Sequence, residues 1–239
     1  MATTGKLHWD YRDGRVAAVA AAIAYSLWVL EVVFPETSAT QGALVDPTST
    51  FTQFMDNAHR TAAILVIVAA GLGLSLGARR TSRLLTVSWT AMAVFGAAAL
   101  TTTLFPGLCV ISTDVACASE ALVEGVSGAT RTQALMSVLT IVAALTAVIT
   151  LALDRRRVRE RSWPIVAFLA ALQAVAAVAV LVVSVMVYST AGDGDPGVAP
   201  SLTVRLHLLT VALWLLATGL LPGPWVNRRV RPRDVQLRD

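Results

Sequence analysis

Six runs of about twenty apolar residues, near 16–34, 59–78, 84–104, 132–153, 164–188 and 202–221, dominate this chain. Twenty helical residues at 1.5 Å each cover roughly 30 Å, the depth of a bilayer's hydrocarbon core. Backbone polar groups in that core have no water to bond, so each run is expected to satisfy them internally as a helix. The predicted fold class is therefore all-α: a polytopic membrane protein built as a six-transmembrane-helix bundle. Composition agrees, with 14% of residues charged against roughly a quarter in soluble domains.

The cations then set an orientation. Sixteen of the nineteen Lys and Arg residues lie in four short segments: Lys6, Arg12 and Arg15; Arg79, Arg80 and Arg83; Arg155 to Arg161; and Arg228 to Arg238. Segments rich in Lys and Arg are retained on the cytoplasmic side. The expected topology is N-in and C-in in the plasma membrane, with loops near 35–58, 105–131 and 189–201 outside. This divides the chain into a cytoplasmic segment 1–15, a membrane domain 16–221 and a basic tail 222–239. The pI near 9.7 follows from this arrangement. No aromatic-interleaved basic patch or phosphate-binding loop points to nucleic acid or a nucleotide. The first run is longer than a signal-peptide core and lacks a small-residue cleavage site after it, so it is expected to stay as a helix.

Local signals refine the bundle. Cys109 and Cys117 share the second outer loop, where an oxidising face favours a structural disulfide; two unlinked thiols are the alternative. Asp46 before Pro47 has the form of a helix start. Pro35, Pro106 and Pro222 mark helix exits, and Pro164 suits a first turn. Gly73 and Gly77 form a small-xxx-small pair, which permits close helix packing; internal packing and a homo-oligomer are both open uses of it.

Three arginines fall outside the basic segments. Arg60, Arg131 and Arg205 each stand at the outer start of an even-numbered span, beside Asp56, His59 and His207, while Glu31 lies near the outer end of the first. Asp56 and Arg60 have the favourable i,i+4 order. Arg205 and His207, two apart, face different directions. Two readings follow. In one, these groups are interfacial ion pairs and snorkelling side chains closing the bundle. In the other they line an outward-opening pocket, with Arg60, Arg131, Arg205 and His207 as ligand-binding groups and Glu31, Asp56 and His59 as acid–base groups. A metal or heme site on His59 and His207 has no supporting local spacing, Ser26 and Ser127 lack a nucleophile elbow, and no cofactor is called for. The arginines of spans two, four and six also suggest three related hairpins converging on one axis.

The exit Leu104-Phe105-Pro106 and the last span, V-R-L-H-L-L-T-V-A-L-W-L-L-A from Val204, resemble a bacterial membrane family known as domain of unknown function nine hundred and ninety-eight. The resemblance covers most of the chain and implies six spans, with Arg205 opening the last helix and Trp214 following in it. That family often carries histidine near the start of span four, where this chain has Thr130-Arg131. It implies a fold and no reaction. The functional expectations are an outward site that binds or processes an anionic lipid or isoprenoid-like amphiphile, a non-enzymatic accessory or assembly subunit of a membrane complex, or a small-molecule transporter. The last is disfavoured by the lack of broken helices and charged mid-span residues.

Overall fold

The computed structural model of the chain describes residues 11–27, 50–77, 82–104, 128–189, 199–221 and 223–225. They form six helices: α1 (Tyr11–Ser26), α2 (Thr50–Leu72), α3 (Arg83–Leu104), α4 (Gly128–Arg157), α5 (Trp163–Ser189) and α6 (Ala199–Leu220). No strand occurs among the described residues. Their Ala- and Leu-rich sequences are strong helix formers, and five of the helices, α2 to α6, are long and apolar enough to cross a membrane. The described part of α1 starts five residues before the first predicted span and ends at Ser26. Residues 28–49, including Asp46 and Pro47, lie outside the described part.

Each helix packs against its neighbours in sequence, and α6 returns to α1, so the six form a closed ring. Hydroxyls on the helices are satisfied locally, as where Thr61, Thr146 and Thr218 donate to the carbonyls four residues back at 2.7–2.8 Å. The ring's interior is filled by small residues and large aromatics. Ala18, Ala21, Ala62, Ala69 and Ala144 bring backbones close, and Trp89, Phe95, Trp214 and Trp225 occupy the space between. Trp89 and Trp225 have ring centroids 4.6 Å apart.

Gly73 serves internal packing, one of the two uses its spacing left open. Residues Gly73–Gly77 form a π-helical turn at the end of α2, and the missing side chain of Gly73 makes room for the Trp89 ring of α3.

The end of the ring that carries the basic segments is closed by specific bonds. Arg15 donates from Nε to the Gly219 carbonyl at 2.7 Å and from Nη2 to the Leu220 carbonyl at 2.8 Å. Trp225 Nε1 donates to the Thr218 carbonyl at 2.8 Å. The last carbonyls of α6, which lack helical partners, are thereby satisfied. Arg155, a member of the basic segment after the fourth run, is buried in the last turn of α4. It pairs with Asp154 at 2.9 Å and Glu160 at 2.5 Å, because α4 runs on to Arg157 beyond the predicted limit of 153.

The α4–α5 turn reverses through Arg159, at a φ of 52°. Arg159 N–H donates to the Arg156 carbonyl and Glu160 N–H to the Arg155 carbonyl, the two bonds of a Schellman cap whose left-handed position favours glycine. Arg159→Gly is therefore expected to raise stability by about 0.5–1 kcal/mol, measured by SDS-induced unfolding in mixed micelles. Pro164 falls in the first turn of α5, as predicted, where an N–H is not needed.

Candidate functional site

All six helices contribute to one cavity of about 390 Å³. It lies at the end opposite the basic segments: near the C-terminal ends of α1, α3 and α5 and in the N-terminal halves of α2, α4 and α6. The alternating helix directions of the ring bring these ends together. Tyr25, Phe95, Ile141, Val180, Val204 and Leu208 supply much of the apolar wall, and His59, Thr102, Thr103, Ser137, Thr140 and His207 the polar part. Tyr25 packs between α2 and α3, with its ring centroid 6.0 Å from His59 and 5.9 Å from Phe95. Phe95 meets Trp214 edge-on at 6.2 Å. A mostly apolar wall with a few convergent polar groups is the usual make-up of a small-molecule site.

The polar groups divide into donors and acceptors. Thr102, Thr103 and Thr140 each donate to the carbonyl three residues back, at 2.7–2.8 Å, leaving their oxygen lone pairs as acceptors. His207 is held from behind. Gln173, fully buried on α5, places Nε2 3.1 Å from His207 Nδ1, and Thr210 Oγ1 donates to Gln173 Oε1 at 2.7 Å. Thr210 Oγ1 is also 2.7 Å from the His207 carbonyl; where its one proton goes to Gln173 Oε1, Gln173 donates to Nδ1 and the ring proton sits on Nε2. Nε2 is the nitrogen left for a molecule in the cavity. Tyr25 is 3% exposed, and its hydroxyl makes no hydrogen bond among the described residues. An unmatched buried hydroxyl costs about 1–3 kcal/mol.

The structure sorts the predicted site residues. His59 and His207 meet around this cavity, from α2 and α6. Asp56 is exposed at the start of α2 and is not part of the lining. Arg60 reaches across to α3, donating from Nη2 to the Thr103 carbonyl at 3.1 Å, rather than back one turn to Asp56. It thereby caps the C-terminal end of α3, where a cation is electrostatically favoured, just as Arg15 caps α6. Its Nε is buried with no bond among the described residues. Arg205 is half-buried on α6, outside the lining. The backbone of Arg131 belongs to α4; Glu31, Ser127, Cys109, Cys117 and His8 lie outside the described residues.

Two contributors had little sequence signal. Tyr25 sits in an apolar run with only Ser26 as a polar neighbour. Gln173 is a lone amide in an apolar run; its partner is 34 residues away, and no local spacing links them.

No family model matches the chain, and comparison with curated proteins and with solved structures gives no match either.

Proposed function

We propose that the chain crosses the plasma membrane six times with both termini in the cytoplasm, and that the cavity at its outer end binds the head of an anionic, isoprenoid-like amphiphile. The single observation that carries this reading is Tyr25: a residue in the wall of a cavity shared by all six helices, whose buried hydroxyl has no hydrogen-bond partner among the described residues. Tyr25 and His207 Nε2 donate to oxygen atoms of the head. Phe95, Ile141 and Val180 cover its first apolar carbons. Arg60 is joined to the lining through the Thr103 carbonyl and places a positive charge beside the cavity that favours an anionic head. The topology is supported by the described cations Arg12, Arg15, Arg83 and Arg155 to Arg161, which lie at the opposite end of the ring.

The test is native mass spectrometry of the purified protein titrated with geranylgeranyl phosphate and with geranylgeraniol. Saturable one-to-one binding that favours the phosphate is expected. Tyr25→Phe removes a buried, unmatched hydroxyl, so the ligand-free protein should be unchanged or more stable, while ligand affinity falls about tenfold. Arg60→Gln should bring phosphate and alcohol to equal affinity. Binding of neither probe, or binding indifferent to Tyr25→Phe, would contradict the reading.

A further inference from the structure

A second candidate site lies at the opposite end of the ring, on its outer surface between α1 and α6. A groove of about 440 Å³ is lined there by Arg12, Arg15, Val16, Val19, Ala20 and Ile23 of α1, with Gly219 and Leu220 of α6 as its other wall. The spacing 12, 16, 19, 23 keeps one face of α1 turned toward the groove. Arg12 stands at the end of that face and Ile23 eleven residues further on. At 1.5 Å per residue they are roughly 16 Å apart along the axis, close to the depth of one leaflet.

The stripe is thus cationic at one end and apolar over the roughly 10 Å from Val16 to Ile23, enough to seat the upper part of an acyl chain. Val16 and Ile23 are exposed, at 67% and 59%, as is Leu220. Gly219 fixes the groove's base: its missing Cβ lets α6 approach Val19 and the Arg15 carbonyl. Arg15 is already committed through Nε and Nη2 to the end of α6, which pins one guanidinium at the mouth of the groove with Nη1 still available. Arg12 is exposed beside it.

A comparison within the molecule isolates the charge. The groove between α3 and α4 has a similar volume, about 360 Å³, and is lined by Val87, Val94, Leu139, Val142 and small or hydroxyl residues, with no cation. It offers the same apolar bed without a headgroup contact.

We infer that the α1–α6 groove is a binding site for an anionic phospholipid of the leaflet that faces the basic segments, its phosphate on Arg12 and Arg15 and one acyl chain along Val16, Val19 and Ile23. A phosphodiester at this position offsets one of two neighbouring positive charges, and guanidinium contacts suit it. The site is separate from the cavity at the other end and stands whether or not that cavity binds an amphiphile.

The experiment is native mass spectrometry of the full-length, delipidated protein titrated with phosphatidylglycerol and, separately, phosphatidylcholine of the same acyl chains. One phosphatidylglycerol should bind more tightly than the rest. Arg12→Gln, an exposed change that touches no hydrogen bond of the ring, should weaken that first binding about fivefold. Ala20→Phe, which fills the groove and keeps both arginines, should weaken it as well, whereas Thr90→Phe in the α3–α4 groove should not. Glycerol phosphate, which has the head without the chains, should fail to displace the lipid at equal concentration. Equal binding of the two lipids, or phosphatidylglycerol binding unchanged by both Arg12→Gln and Ala20→Phe, would overturn the assignment. Displacement by glycerol phosphate would also overturn it, reducing the site to one for free phosphate.

Discussion

Arg155→Met is expected to destabilise the protein by about 3–5 kcal/mol, the range for removing one partner of a buried ion pair. Both Asp154 and Arg155 have side chains only 3% exposed, so the substitution leaves a buried carboxylate with its cation gone. Glu160 loses its bond to the same guanidinium. The loss should spread beyond α4, because Gly223 packs its backbone against the Arg155 and Glu160 side chains. The turn after α6 is thereby braced to the α4–α5 connection. The triple variant Arg155→Met, Asp154→Asn, Glu160→Gln removes all the charges together and should recover much of the loss. SDS-induced unfolding in mixed micelles reads both. If the single and triple variants unfold alike, the network is not what holds this end together.

Gly219→Leu should have the next largest effect. An added Cβ would lie 2.6 Å from Val19 Cγ2 and 2.9 Å from the Arg15 carbonyl oxygen. The valine methyl can turn aside, but the carbonyl belongs to the α1 backbone and moves only if the helices part. Overpacking of this kind costs typically 1–3 kcal/mol, and here it strikes the contact that closes the ring. Gly71→Ala is the matched control. Nothing lies within 4 Å of the position its Cβ would take, so the substitution should be neutral or stabilising by up to about 1 kcal/mol. The same unfolding assay compares them, and equal losses at the two positions would refute the packing account.

How much of this was legible in the sequence depends on the range of the interaction. The helices were, because backbone satisfaction and apolar run length act within one segment; α3 to α6 appear within a few residues of their predicted spans, and α2 starts nine residues before its own. Ends were less so. The helical propensity of Asp154 to Arg157 and the pairing of Arg155 with Glu160 carry α4 past its apolar run. Gly73 was legible as a packing glycine, but not as the seat of Trp89, which comes from the next helix. At the site, His59 and His207 were picked out as rare polar groups near apolar runs. Their common cavity depends on the ring, which fixes the neighbours of each helix and which no local pattern encodes. Arg60 shows the limit most clearly. The i,i+4 rule pairs it with Asp56, whereas the fold offers it the open carbonyl end of α3, a partner more than forty residues away in the chain.

The central claim is that the shared cavity opens to the outer face and holds a ligand there. Ser137, an exposed residue in the cavity lining, gives the most direct measurement: a Ser137→Cys protein with Cys109 and Cys117 changed to Ser, expressed in bacterial spheroplasts and treated with a membrane-impermeant maleimide. Labelling of intact spheroplasts, suppressed by geranylgeranyl phosphate, is the result this account requires. Labelling confined to inverted vesicles, or labelling that the phosphate does not slow, would contradict it.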